Sequence, residues 1–160
     1  MFVFDKTNYS YSIVEIVENK KDLYHLLLLA DETTEAIDKY LLESTVYVIN
    51  DKVKSIGVFC LYKIDDDIIE LKNIAVDSIY QSKGIGGSII TCIKEIVKEQ
   101  GYKVLVVGTA DTGEAQIRFY LRNGFIKTGL KKDFFLINYS EPIFENGVQL
   151  RDMVMFETKV

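Results

Sequence analysis

The chain has 160 residues, of which 48% are hydrophobic, and this supports one core of ordinary size rather than two. Its net charge of −5, with scattered positive residues, argues against binding to nucleic acids or anionic membranes but tolerates a cationic substrate. Cys60 and Cys92 have no CxxC spacing, which is typical of buried thiols in a reducing compartment. No apolar stretch approaches the ~20 residues of a membrane span. We therefore expect one cytoplasmic domain over residues 1–160.

Strand and helix patterns alternate in the first half of the chain. Residues 11–17 (YSIVEIV) alternate in the way of a strand. Residues 20–31 and 33–44 have helical spacing, and Thr33 or Thr34 is the expected N-cap. Three strands with short turns follow and form an antiparallel meander. Their ranges are 44–51, 54–65 and 68–77.

The second half predicts two helices, each followed by a strand. From Gly84 the apolar period becomes helical, and Gly101 ends this helix. Residues 103–110 (KVLVVGTA) are almost continuously apolar, which is typical of a buried parallel strand reached by a crossover helix. The remaining elements are a helix over 113–123, strands over 124–135 and 151–159, and a polar loop over 138–147.

A glycine turn (QSKGIGG, residues 81–87) joins the strand that ends near Asp77 to the following helix. The unpaired backbone N–H groups of a helix N-terminus suit an anion, although a tightly packed helix start explains the glycines equally well. A P-loop needs Gly-Lys-Ser/Thr after its glycines, whereas Lys83 precedes them. The dinucleotide fingerprint GxGxxG requires glycine or alanine where Ile89 stands. The turn therefore favours neither ATP nor NAD.

Two segments together resemble the GNAT superfamily of N-acetyltransferases. NIAVDSIYQSKGIGGSII (residues 73–90) resembles its acyl-CoA signature, Gln/Arg-x-x-Gly-x-Gly/Ala, and AQIRFYLRNGF (residues 115–125) resembles its aromatic-Tyr-x-x-x-Gly-Phe segment. The matching positions are Gln81, Gly84 and Gly86 in the first and Phe119, Tyr120, Gly124 and Phe125 in the second. The resemblance implies an α/β (α+β) fold. Its mixed, mostly antiparallel sheet would have about seven strands, splayed at a central parallel pair, with helices on both faces.

The resemblance also implies acetyl-CoA as the acetyl donor, and no metal. Backbone amides of the glycine turn would hold the pyrophosphate, and the pantetheine arm would bond to main chain between the splayed strands. The turn residues are Gln81, Ser82, Lys83, Gly84, Ile85, Gly86 and Gly87. The strand residues are Ile74, Ala75 and Val76, which are otherwise plain core residues.

Acetyl transfer to an amine requires proton transfer, because an alkylammonium has a pKa of about 10. By its spacing to Gly84, Glu70 matches a position where some superfamily members keep a general base, whereas others use different residues or ordered water. Tyr120 would protonate the departing thiolate, or else it only packs with neighbouring apolar residues. A backbone N–H near Ile74 or Val76 would stabilise the oxyanion.

We therefore expect an N-acetyltransferase that moves acetyl from acetyl-CoA to a primary amine of a small molecule or peptide by direct attack in a ternary complex. A non-catalytic acyl-CoA-binding regulator is the alternative. The sequence leaves open whether the protein forms a homodimer. The early helices and the 138–147 loop would form the acceptor pocket. Glu43, Glu141 and Glu145 either meet a cationic amine there or are solvated loop charges.

Overall fold

The computed structural model describes residues 1–6 and 8–160. The strands are β1 Phe2–Lys6, β2 Tyr9–Ile16, β3 Thr45–Asn50, β4 Ser55–Lys63, β5 Ile68–Val76, β6 Val104–Ala110, β7 Ile126–Lys131, β8 Phe144–Glu145, β9 Val148–Gln149 and β10 Met153–Lys159. The helices are α1 Tyr24–Leu27, α2 Thr34–Asp38, α3 Ile85–Glu99, α4 Glu114–Arg122 and α5 Phe134–Asn138, and Lys20–Leu23 and Ser78–Tyr80 form 3-10 turns. Among these described residues, no helix has both the length and the apolar character needed to cross a membrane.

Eight strands form one mixed sheet in the order β1-β2-β3-β4-β5-β6-β10-β7. Its neighbours are antiparallel except for β5 and β6, which run parallel. These two strands pair only from Ile68–Val104 to Leu71–Val107 and diverge beyond that point. The predicted mixed sheet, splayed at a central parallel pair, is confirmed.

Helices cover both faces of the sheet, as predicted. The apolar stripe of α3, which includes Ile85, Ile89 and Ile93, is buried against one face. On the other face, Leu27 of α1 and Ile37 of α2 belong to a separate buried cluster with strands β3 to β5. Each such aliphatic side chain contributes about 1.5–3 kcal/mol when it is fully buried, so the two clusters hold the sheet between its helical layers.

The N-terminal strand β1 was not predicted, and it raises the sheet to eight strands rather than about seven. Its segment, FVFDK, is short, and Val3 interrupts the expected alternation of apolar and polar residues. The strand pairs with β2 from Phe2–Ile13 to Lys6–Tyr9, and the local sequence pattern does not indicate this pairing. Phe2 and Phe4 pack against the α3 side of the core.

The predicted strand over residues 124–135 is wrong in its second half. Strand β7 ends at Lys131, Asp133 takes the left-handed conformation with φ 54°, and α5 follows. Phe135 is buried in a small cluster with Ala110 and Leu150, so the apolar pair at 134–135 packs as part of a helix. The two early helices are also shorter than predicted, and a hairpin of β8 and β9 begins within the 138–147 loop.

Candidate active site

A cleft of about 600 Å³ opens where β5 and β6 diverge. Residues 71–76 of β5 and 107–110 of β6 line its two sides, and residues 28–32, after α1, line it from the helical layer. Gln81 and Tyr120 also lie on its wall. The cleft therefore brings together predicted residues from β5, from the glycine turn and from α4.

Every second residue of β5 directs its backbone N–H and C=O groups into this cleft. The Ala75 carbonyl faces β4, where it would lie 2.6 Å from a Cβ atom at Gly57, and the Asp77 N–H donates to the Ile56 carbonyl at 2.8 Å. Since successive residues of a strand face opposite neighbours, Ile74 and Val76 direct their N–H and C=O groups toward the divergent edge. The Val76 carbonyl accepts a 2.8 Å hydrogen bond from Gln81 Nε2.

The glycine turn contains two residues in the left-handed conformation that anion-binding concavities use. Ser82 and Gly84 take it, with φ 61° and 75°, on either side of Lys83. Such residues let successive N–H groups converge on an anion. Gly84 is the N-cap of α3 and makes no side-chain cap hydrogen bond. The first turn of this 15-residue helix therefore adds free N–H groups and the positive end of its dipole.

Gly86 and Gly87 have a packing role, in agreement with the tightly packed helix start that the sequence left open as an alternative. A Cβ atom at Gly86 would lie 3.0 Å from Phe119 Cε2, and one at Gly87 would lie 3.3 Å from Asn123 Oδ1. The absent side chains thus face α4 and allow the two helices to approach closely. Binding of pyrophosphate by the backbone amides of these residues stays a prediction.

Lys6 of β1 is a candidate binding residue that the sequence analysis missed. A Cβ atom at Gly84 would lie 2.9 Å from Lys6 Cε and 3.3 Å from its Nζ, so the ammonium is beside the turn. Lys83 Nζ instead lies 5.5 Å from the centre of the Tyr80 ring. The aromatic residues in FVFDK were an available signal for a strand, but nothing in the sequence indicates that this strand ends beside the start of α3.

The ring of Tyr120 is buried, and it packs edge-on against two aromatic neighbours. Its centroid lies 5.3 Å from that of Phe119 and 5.5 Å from that of Phe125, and Phe156 packs at 6.1 Å. Leu121, an apolar neighbour of Tyr120 on α4, is 49% exposed. Burial raises the pKa of the Tyr120 phenol, so the hydroxyl stays protonated at neutral and mildly alkaline pH. Because Tyr120 also lines the cleft, this neutral phenol can act as a proton donor there.

Glu70 lies in a side cavity that adjoins the main cleft. It is only 5% exposed, and its Oε2 lies 3.1 Å from Lys72 Nζ. The cavity has a volume of about 260 Å³ and shares Leu71, Lys72 and Gly108 with the cleft. The fold therefore places the predicted base and the predicted acid in neighbouring cavities rather than in one.

Hydrogen-bonded polar groups connect the walls of the two cavities. Asp31 accepts hydrogen bonds from Tyr40 at 3.2 Å and from Tyr139 at 2.7 Å. The Tyr40 oxygen accepts a further bond from Asn73 Nδ2 at 3.1 Å, and the same nitrogen donates to the Leu27 carbonyl at 3.0 Å. Asp31 therefore has a fixed position on the walls of both cavities.

The three glutamates predicted for the acceptor pocket do not come together. Glu145 lines the cleft with Glu32, and burial together with the nearby Glu145 carboxylate raises the pKa of Glu32. Glu141 lines a different cavity, formed by α2 and residues 138–144. The carboxylate of Glu43 accepts a 3.1 Å hydrogen bond from Tyr62.

Comparison with known proteins identifies the family. The sequence profile of the acetyltransferase (GNAT) domain matches residues 43–127. The uncharacterized N-acetyltransferase YvbK of Bacillus subtilis is 37% identical over 137 residues, which are 86% of this chain and 88% of YvbK.

Solved structures agree with this assignment. A GNAT family acetyltransferase from Elizabethkingia anophelis, solved with acetyl-CoA bound, is 37% identical and has a TM-score of 0.89, over 94% of this chain and 98% of that chain. A Bacillus subtilis acetyltransferase in complex with CoA is 35% identical and has a TM-score of 0.85, over 94% and 99% of the two chains. Profile, relative and structures together show that the chain belongs to the GNAT superfamily and is an acyl-CoA-dependent N-acetyltransferase.

Proposed function

We propose that this protein acts as a single cytoplasmic domain that transfers the acetyl group of acetyl-CoA to a primary amine of a small molecule or peptide. The amine would attack directly in a ternary complex. The observation that carries the proposal is the cleft between β5 and β6, whose wall includes Ile74, Val76 and Tyr120. Gln81, at the start of the glycine turn, lies on the same wall, so a single extended ligand can contact both the strands and the turn.

The residues present fit acetyl-CoA, which supplies the acetyl group as a thioester. The exposed edge of Ile74 and Val76 offers main-chain bonds to the pantetheine amides, in the manner of an added strand. The left-handed Ser82 and Gly84 and the start of α3 offer N–H groups to the pyrophosphate. Lys6 adds a positive charge beside these groups. The acetyl-CoA and CoA bound by two similar proteins support this assignment.

We expect acetyl-CoA to stabilise the protein by ~2.7 kcal/mol at a hundredfold excess over Kd, whereas ATP and NAD should not stabilise it.

Lys6→Met should weaken acetyl-CoA binding about threefold to fivefold, as expected for an exposed ion pair. Acetylpantetheine lacks the phosphates, so its affinity should not change. Thermal unfolding with each ligand measures these effects.

Lys52→Met is the matched control for Lys6→Met, because it removes the same charge from an exposed loop position. Equal weakening in both variants would indicate a general effect of net charge. An equal loss of affinity for acetylpantetheine would exclude a phosphate contact. No stabilisation by acetyl-CoA in the parent protein would contradict the proposed donor.

Each assigned group has a distinct part in the reaction. Glu70 accepts the proton that the acceptor amine loses, and Tyr120 donates a proton to the sulfur that leaves. A backbone N–H of Ile74 or Val76 donates to the carbonyl oxygen of the acyl group, and such contacts are worth ~3 kcal/mol in comparable sites. A regulator that only binds acyl-CoA needs neither Glu70 nor Tyr120 in these positions, and their presence favours an enzyme.

Acid groups on the cleft wall support a cationic acceptor. Asp31, Glu32 and Glu145 line the cleft, whereas Lys72 is the positive side chain on the same wall and already contacts Glu70. A protonated amine would therefore be attracted before it loses its proton.

A panel of polyamines, aminoglycosides, amino acids and peptides with free N-termini tests the proposed reaction. We expect at least one of these amine classes to release coenzyme A from acetyl-CoA and to yield an equal amount of N-acetylated product. Free thiol and acetylated product are measured together, so that simple thioester hydrolysis is recognised. Acetyl-CoA binding without turnover across the whole panel would favour the non-catalytic regulator.

A further inference from the structure

Lys72 lies next to the predicted base on the same strand, where residues two apart share a face. The Lys72 ammonium lies 3.1 Å from Glu70 Oε2 and 5.7 Å from the centre of the Tyr62 ring, and Glu70 lies opposite Tyr62. Lys72 is also the extra residue of a β-bulge, because the register between β4 and β5 changes from Cys60–Asn73 to Leu61–Leu71. The buried carboxylate therefore has a cation two residues along its own strand.

The other charged and titratable groups around Glu70 are engaged elsewhere. They are Asp31, Lys39, Tyr40, Tyr62 and Tyr139. Tyr40 and Tyr139 donate hydrogen bonds to Asp31, Tyr62 donates to Glu43, and Lys39 Nζ donates to the Asn138 carbonyl at 2.7 Å. Among the residues that the structure describes, Lys72 is therefore the cation in contact with Glu70.

The surroundings make this contact important for the charge of Glu70. The Glu70 side chain is 7% exposed and that of Lys72 is 27% exposed, so water screens the pair less than it screens a surface ion pair. A carboxylate in such a place is stable in its ionised form only with a nearby cation or hydrogen-bond donors. The Tyr62 ring faces the ammonium and helps to hold it there.

We propose that Lys72 is a positioning residue that keeps Glu70 ionised and oriented for proton transfer. The inference rests on the proposed role of Glu70 as base. Lys72 lines both the side cavity and the cleft, so the ion pair lies at the junction of the two. Glu70 lines the side cavity and not the cleft, so Lys72 is the member of the pair that borders the cleft.

The protonation of Glu70 measured by carboxyl ¹³C NMR tests this role without any acceptor. In Lys72→Met the Glu70 carboxyl should be protonated at higher pH than in the parent, because losing a nearby positive charge favours the neutral carboxyl. Lys72→Arg should keep the parent midpoint. Lys72→Gln, which retains polar hydrogen-bonding groups, provides the same comparison if the methionine variant does not fold.

The pH profile of kcat/KM gives the corresponding readout in the working enzyme. In Lys72→Met kcat/KM should fall about tenfold on the acid limb of the parent profile, in the same direction as in Glu70→Gln, and should approach the parent value as the pH rises. Lys39→Met is the matched control, since it removes a cation from the same cavity that does not contact Glu70. Its acid limb should stay in place.

The outcomes separate the two proposals. If Glu70→Gln lowers kcat/KM at neutral pH and below but Lys72→Met changes neither the acid limb nor the NMR titration, the positioning role is overturned and the base remains. If Glu70→Gln keeps the parent pH profile, Glu70 is not the base. The positioning role of Lys72 is then overturned as well. An equal shift in Lys39→Met would attribute the effect to the total charge of the cavity and would also overturn the specific role of Lys72.

Discussion

Replacement of Tyr120 by phenylalanine is expected to lower kcat about 100-fold, the lower end for the loss of an acid or base. Phenylalanine keeps the ring and therefore the contacts with Phe119, Phe125 and Phe156, so the affinity for acetyl-CoA should change little. Only the hydroxyl disappears, and its raised pKa makes it a neutral donor in the parent enzyme. Steady-state kinetics with an amine from the panel, together with thermal shifts by acetyl-CoA, measure both quantities.

Tyr47→Phe is the matched control for this substitution. Tyr47 is also buried and stacks on Phe59, but its hydroxyl accepts a hydrogen bond from Gln100 outside the cleft. It should lose about 1 kcal/mol of stability and keep its turnover. If Tyr120→Phe turns over as fast as the parent, the phenol only packs, and water protonates the departing thiolate.

Glu70→Gln is expected to lower kcat/KM about 100-fold at neutral pH and below. Activity should recover as the pH approaches the pKa of the acceptor, about 10, because free amine then no longer needs a base. Glutamine has nearly the same shape but leaves the Lys72 ammonium without its anion. Since Lys72 can turn toward solvent, we expect a loss of stability near 1 kcal/mol, well below the cost for a fully enclosed pair.

The pH dependence distinguishes this effect from that of Tyr120→Phe, whose loss of turnover should persist at high pH. Glu43→Gln is the control, because its carboxylate accepts a hydrogen bond from Tyr62, the cross-strand neighbour of Glu70. It should keep the parent profile. If Glu70→Gln also keeps that profile, another base or a chain of water molecules accepts the proton. The mechanism then reduces to positioning of the reactants and donation of a backbone N–H to the acyl oxygen.

The elements predicted correctly are those whose signals are local. The apolar stripe of α3 from Ile85 and the apolar run of β6 can each be recognised within a single segment. The parallel pairing of β5 with β6 follows because α3 is the crossover between them. Helix α5 was missed because its conformation depends on partners distant in sequence, whereas the first strand was missed because FVFDK is short and does not alternate. Phe135 packs with Ala110 and Leu150, and Phe4 with Tyr11 across the β1–β2 pair.

The same distinction applies to the site. Tyr120 and the glycine turn were recognised from short motifs, whereas no motif pointed to Lys72, although residues two apart in a strand share a face. Its place at a bulge in the pairing with β4 cannot be located from the sequence. Lys6 was missed because its nearness to Gly84 requires β1 to lie beside the start of α3.

The close approach of α3 and α4 couples the packing of the two family signatures, the glycine turn and the segment that carries Tyr120. Gly86 faces Phe119, the residue before Tyr120, and Lys94 Nζ donates to the Asn123 carbonyl at 2.6 Å. A side chain added at Gly86 would displace Phe119 and shift the neighbouring phenol without touching it. Substitutions at Gly86 should therefore be accompanied by compensating substitutions at Phe119 across the lineage.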